Sequence, residues 1–245
     1  TDSYGEHFVA TDLVRSTWSA AIQHAAPVSA LLVRALQRCD PRDDTRLSRV
    51  LVDLLGPVPA DGDLWVRATR ERPGTQIELI GAELLAAGPD GSPRPVARAS
   101  GWRLQTLDTA AVAQASVEPL RPLSQARGRD MKKDWERNYV HSLDWRWLTT
   151  PLNQGPGESW IRPEVDLVKG ETMSPLERLF AVADDANGIG AICIGATIGA
   201  TCALGCANDM KLSPLPISKA LPRVMELDDS DRSASDDTTE ERSPT

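Results

Sequence analysis

Apolar positions along this chain recur with two different periods. Val28, Leu31, Leu32, Ala35, Leu36 and Cys39 share one face at about 100° per residue. Ser29, Arg34, Gln37 and Arg38 fall on the other, which predicts a helix opened by Pro27 and buried on one side. A mixed extended run, His7–Trp18, precedes it. Four strands are predicted after it. Val50, Val52 and Leu54 alternate along Arg46–Leu55, which ends at Gly56-Pro57, and Leu64, Val66 and Ala68 alternate with Trp65, Arg67 and Thr69. Beyond the Arg72-Pro73-Gly74 turn, Gln76–Ala86 is apolar enough to be buried on both faces. A turn over Gly88–Pro95 then leads into Val96–Leu107. The expected fold class is α+β, an antiparallel sheet wrapped around one central helix over residues 1–107.

The pattern pauses across a connector, residues 108–138, and restarts. Tyr139–Leu148 reads as an aromatic-rich strand, Gly155–Gly157 as a turn and Ser159–Arg162 as a short extended piece. A second helix start follows, with Ser174 as N-cap, Pro175 at the first helical position and Glu177 closing a capping box. Leu176, Leu179, Phe180, Ala183 and Asn187 lie within about 100° of one another on it. Strand then helix thus occurs twice, the mark of a duplicated unit whose second copy occupies residues 139–190. That copy is expected to be incomplete. Gly195, Gly199 and Gly205 weaken any strand in the apolar 191–212 segment, and 213–245 reads as a disordered acidic tail.

Several sequence words, in this order, resemble one family. Gln23-His24-Ala25-Ala26-Pro27-Val28 stands at the first helix and Val50-Leu51-Val52-Asp53-Leu54-Leu55-Gly56-Pro57 on the next strand. Leu167-Val168-Lys169-Gly170-Glu171, Ser174-Pro175-Leu176-Glu177-Arg178 and Val182-Ala183-Asp184-Asp185-Ala186-Asn187-Gly188 mark the second unit. Over roughly residues 4–190 the chain is similar to the actinobacterial thioesterase-like proteins related to acyl-CoA thioesterase II. The resemblance implies a hotdog fold in a double-hotdog arrangement, an acyl-CoA substrate, no cofactor, and a homo-oligomer. It departs from the family in having His24-Ala25-Ala26 where His-Gly-Gly is usual. The later strands that carry the family's polar partners for the helix carboxylate also find no counterpart after residue 190.

The chemistry implied is hydrolysis by an activated water, with donors facing the oxyanion. The family motif places its acid three residues before Asn-Gly, at Asp184. Helical spacing puts Asp184 beside the apolar stripe and Asp185 on the solvent side. Asp184 is the candidate catalytic residue, its alternative being a solvated acid at the helix edge. His24, Ala25 and Ala26 are the candidate substrate-binding residues at the first helix start, with the Ala25 and Ala26 amides as oxyanion donors. Trp145, Trp147 and Trp160 read as core rather than acyl channel, and Arg67, Arg70 and Arg72 as solvated charges rather than phosphate ligands. A non-catalytic acyl-CoA-binding or assembly module is the competing reading.

Charge and cysteines narrow the choice. The net charge is −8, with eight acids against Arg232 and Arg242 from Glu226 onward, which argues against nucleic acid as a partner. Cys39 reads as a small buried thiol on the apolar side of the first helix, and Cys193, Cys202 and Cys206 have no histidine nearby to complete a metal site. No metal is expected. Gly188–Ala207 is broken by glycines and threonines, so no membrane span is expected. With no apolar run after a basic start at Thr1–Ala10, a cytoplasmic location is expected.

Overall fold

The computed structural model describes residues 4–114, 120–128, 138–149, 158–186 and 223–227, the last as backbone alone. Strand β1 (Glu6–Ala10) is followed by helix α1 (Ala25–Arg38) and strands β2 (Thr45–Leu54), β3 (Asp63–Arg72), β4 (Ile77–Ala87) and β5 (Pro93–Gln105). Residues further along the chain supply β6 (Leu143–Trp147), β7 (Ser159–Pro163), β8 (Asp166–Val168) and α2 (Pro175–Ala183), and β9 (Arg223–Leu227) lies in the tail. The large sheet runs β2-β5-β4-β3-β1-β9-β8, antiparallel except for the β8–β9 pair, while β6 and β7 form a separate hairpin.

Period-two burial sets the inner face. Leu64 and Val66 on β3, Ile80, Ala82 and Leu84 on β4, and Ala97 and Ala99 on β5 are buried against Leu31, Leu32, Ala35 and Leu36 of α1. Gly101 lets the helix settle, because a Cβ there would stand 2.6 Å from Leu47 and 3.2 Å from Leu36. α1 stops at Cys39, after which Asp40 takes φ 42° and Pro41 cannot continue the helix. The buried Arg103 guanidinium donates to the carbonyls of Leu36, Cys39 and Asp40, and pairs with buried Glu78 at 2.8 Å. A cation thus meets the negative end of the helix.

Three features differ from expectation. α1 begins at Ala25 with His24 as N-cap, so Pro27 occupies the third helical position, where its missing N–H is still harmless. The polar face of α1 is only partly solvated: Arg38 is exposed, but Arg34 is not. Arg34 is 1% exposed, held by Glu6 at 2.6 Å and by Glu171, just before α2, at 2.8 Å, with Phe8 beneath it. Finally, the tail expected to be disordered contributes β9, paired antiparallel with β1 and parallel with β8. Cys193, Cys202, Cys206 and the 191–212 segment lie outside the described residues.

Trp145 and Trp147 stack at 5.2 Å inside the core, as their pattern predicted, and Trp160 donates its indole N–H to the Arg121 carbonyl. Cys39 is a free, half-buried thiol. Among the described residues no helix is long and apolar enough to cross a membrane, and no group of three or more His, Cys, Asp or Glu is placed to hold a metal.

Candidate active site

α1 and α2 lie antiparallel, and that single fact assembles the site. The Ser174 hydroxyl, the N-cap of α2, meets Gln37 Oε1 near the C-terminal end of α1 at 2.7 Å. At the opposite end, the carboxylates that close α2 meet His24 at the start of α1. The Ser174–Glu177 capping box, complete in both directions, fixes where α2 begins and so where it ends.

His24 is buried and does three things. Its Nδ1 accepts the Ala26 N–H at 3.2 Å, which caps α1 and leaves the proton of the neutral ring on Nε2. Asp184 Oδ2 stands 3.4 Å from Nδ1, and Asp185 Oδ1 stands 3.7 Å from Nε2. The ring stacks on Tyr139 at 5.2 Å. Burial pushes the imidazole pKa down, against the pull of the Asp184 charge. His24 is therefore neutral near pH 7, one carboxyl group beside each nitrogen.

The two aspartates exchange the environments expected of them. The Asp184 side chain is 42% exposed, whereas that of Asp185 is 4% exposed. The cause is the face that α2 presents. Glu177, Ala181 and Val182 are its buried residues, while Leu176, Leu179 and Phe180 are only half-buried. At about 100° per residue, Asp185 lies on the same side as Glu177, Ala181 and Val182, roughly opposite Leu176. The small side chains of Ala181 and Val182 permit close approach to α1, and Asp185 goes inward with them. Burial first, and the neighbouring Asp184 charge second, push the Asp185 carboxyl well above the usual carboxylate range. Of the two carboxyl groups, Asp185 is the one that burial desolvates.

Tyr139 carried no signal of a site role beyond opening an aromatic strand in the sequence. It is 1% exposed, donates its hydroxyl to the Ala181 carbonyl at 2.7 Å, and so ties the segment before β6 to the last turn of α2. Burial and the charges of Asp185 and Asp184 raise its pKa well above that of a free phenol, so it serves as a donor only. The expected oxyanion donors separate. The Ala26 amide is committed to His24, while among the described residues nothing accepts from the Ala25 N–H. That amide sits at the positive end of α1. Arg67 is engaged by Glu83, Arg70 by Asp40, and Arg72 by the Ile77 carbonyl and the Trp102 ring, so the three are paired within the sheet region rather than merely solvated.

The family model of the acyl-CoA thioesterase N-terminal domain matches residues 14–104, which hold α1 and β2 to β5. Among solved structures, a conserved protein of unknown function with a hotdog fold from Alicyclobacillus acidocaldarius superposes with a TM-score of 0.56. It is 11% identical, over 78% of this chain and 68% of that one. This likeness shows the fold, and the chain is a hotdog. A putative thioesterase II from Thermobifida fusca reaches a TM-score of 0.47 at 14% identity, over 74% of this chain and 66% of that one. A Bacillus halodurans protein solved with CoA reaches 0.34 at 17% identity, over 42% and 71%. Among curated proteins none matches this sequence.

Proposed function

We propose that this protein hydrolyses fatty acyl-CoA thioesters at the junction of the α1 N-terminus with the α2 C-terminus. The observation that carries the reading is the meeting of a carboxylate, Asp184, with the unpaired Ala25 amide end of α1 around a neutral, buried His24. The thioesterase-type domain matched over residues 14–104 supports the substrate class.

In this reading Asp184, the more exposed carboxylate, takes a proton from water as the water oxygen attacks the acyl carbon. The carbonyl electron pair moves onto oxygen, where the Ala25 N–H and the helix dipole stabilise it. Collapse re-forms the carbonyl and breaks the C–S bond. The departing thiolate then recovers the proton from Asp184, leaving a fatty acid and free CoA. His24 holds the first turn of α1 in place and stands between the carboxyl groups without needing to be charged. No cofactor takes part.

The test is steady-state hydrolysis of medium- and long-chain acyl-CoA by the full chain and by Asp184→Asn. Loss of about 10²–10⁴-fold in kcat is expected for the variant. Turnover equal to wild type would remove Asp184 from the mechanism. Saturable acyl-CoA binding with no turnover by the wild-type chain would instead favour the binding-module reading.

A further inference from the structure

Asp185 plays no part in the reaction just described, yet it is the most anomalous polar group near the site. Its side chain is 4% exposed and, among the described residues, Oδ2 has no hydrogen-bond partner. A buried polar atom left without a partner costs about 1–3 kcal/mol. An ionised, unpaired carboxylate there would cost more.

The surrounding groups fix where the proton of a neutral Asp185 must lie. From α1, His24 accepts the Ala26 amide on Nδ1 and so turns Nε2–H toward Asp185 Oδ1. Facing a donor, Oδ1 is the acceptor oxygen. From the segment before β6, Tyr139 has already spent its hydroxyl on the Ala181 carbonyl and cannot serve Oδ2. Asp184, the neighbour on α2, adds negative charge and so favours the neutral acid. The remaining arrangement puts the proton on Oδ2, as an O–H donor with nothing to donate to.

We propose that Asp185 is a hydrogen-bond donor to the acyl carbonyl oxygen of a bound thioester, through a proton on Oδ2. The inference rests on the thioesterase reading and deepens it. It supplies a second oxyanion donor in addition to the Ala25 amide, since Ala26 cannot serve because His24 occupies its N–H. A carboxylic acid kept neutral by apolar surroundings is an established chemical device for such a donor, as in ketosteroid isomerase. The proton stays on Asp185 throughout. Strengthening of its bond as the carbonyl oxygen becomes anionic is what accelerates the reaction.

Two full-length variants and two measurements test this. Asp185→Asn keeps an acceptor for His24 and a donor in place of Oδ2–H, whereas Asp185→Leu removes both. For fatty acyl-CoA hydrolysis, kcat is expected to fall about tenfold in the Asn variant and about 10²–10³-fold in the Leu variant, the loss typical of one oxyanion donor. An Asn variant as inactive as Asp184→Asn would overturn the proposal, because it would mean that Asp185 works as an ionised base. A Leu variant as active as wild type would overturn it as well. The infrared difference spectrum at pH 7, wild type minus Asp185→Asn, is independent of turnover. It should contain the C=O stretch of a protonated carboxyl, and its absence overturns the proposal even if hydrolysis is observed. If wild type hydrolyses no acyl-CoA, the thioesterase reading fails. The donor assignment is then decided by the carbonyl stretch of a bound ketone analogue with CH2 in place of the thioester sulfur. A downshift present in wild type and absent in Asp185→Leu supports it, and equal stretches overturn it.

Discussion

At the scale of single residues, the site is built from groups that are poorly solvated and incompletely matched, which makes it a source of instability. Asp185 shows this most directly. Its carboxyl pKa is raised in the folded state, so the folded protein holds that proton more tightly than the unfolded chain does. The sign follows. Stability from this group is greatest below the unfolded value near 3.8 and declines as pH rises from there toward the folded pKa. Asp185→Asn removes the titration. The Asn variant is therefore expected to melt several degrees above wild type at pH 7, with the gap closing below about pH 4. Thermal unfolding followed by circular dichroism at both pH values measures it. A gap that did not change with pH would mean that Asp185 has no raised pKa. Gain of stability with loss of activity is the pattern expected of a functional site.

At the scale of elements, the seam between α1 and the approach to α2 is held by charge. Arg34 is enclosed by Glu6 and Glu171, and Arg38 reaches Glu171 at 2.7 Å from one turn further along. Burial alone would push the Glu171 carboxyl up. The hydrogen bonds and charges of Arg34 and Arg38 outweigh it and leave the pKa below the usual 4.5. A lowered carboxylate contributes stability that is present above the unfolded value and lost as pH falls through the folded one. Wild type should thus lose melting temperature below about pH 4.5 more steeply than Glu171→Gln, the two curves converging in acid. Arg34→Met removes the shared cation and strands two acids, at a cost of about 3 kcal/mol in chemical denaturation at pH 7. A loss below about 1 kcal/mol would show that the seam is held by apolar packing instead.

At the scale of the whole molecule, β2 closes one end of the large sheet. Among the described residues its outer edge pairs with no strand, and Leu51, Leu54 and Leu55 beside it are about half exposed. A ten-residue edge with that much apolar surface is a template for pairing with another chain. Self-association through β2 is the expected outcome, the two edges running antiparallel about a twofold axis. Sedimentation velocity of the full chain should give a dimer or a multiple of it, and Leu51→Lys with Leu54→Lys should shift it toward monomer. A monodisperse wild-type monomer at tens of micromolar would exclude this mode.

The same scales separate what could be read from the chain and what could not. The segment from α1 to β5 was legible because its elements follow local rules: period-two alternation in β2 and β3, an apolar run in β4, a 3.6-residue stripe in α1, and turns punctuated by Gly and Pro. The α2 start was legible for the same reason, since Ser174, Pro175 and Glu177 act within one turn. The burial of Arg34 was not, because its polar face on α1 is covered by Glu171, 137 residues away. Nor was the exchange between Asp184 and Asp185. Periodicity identifies an apolar stripe on α2, but only the packing against α1 selects the side bearing Ala181 and Val182 as the one turned inward. The strand at 223–227 was hidden in an acidic tail whose composition argued for disorder, and its pairing with β1 is a long-range choice. Sequence alone determined the locally coded elements, α1, β2 to β5 and the start of α2, and the residue types available for chemistry. Tertiary structure decided which carboxyl group is buried and which faces water, because desolvation depends on what another part of the chain places over a side chain.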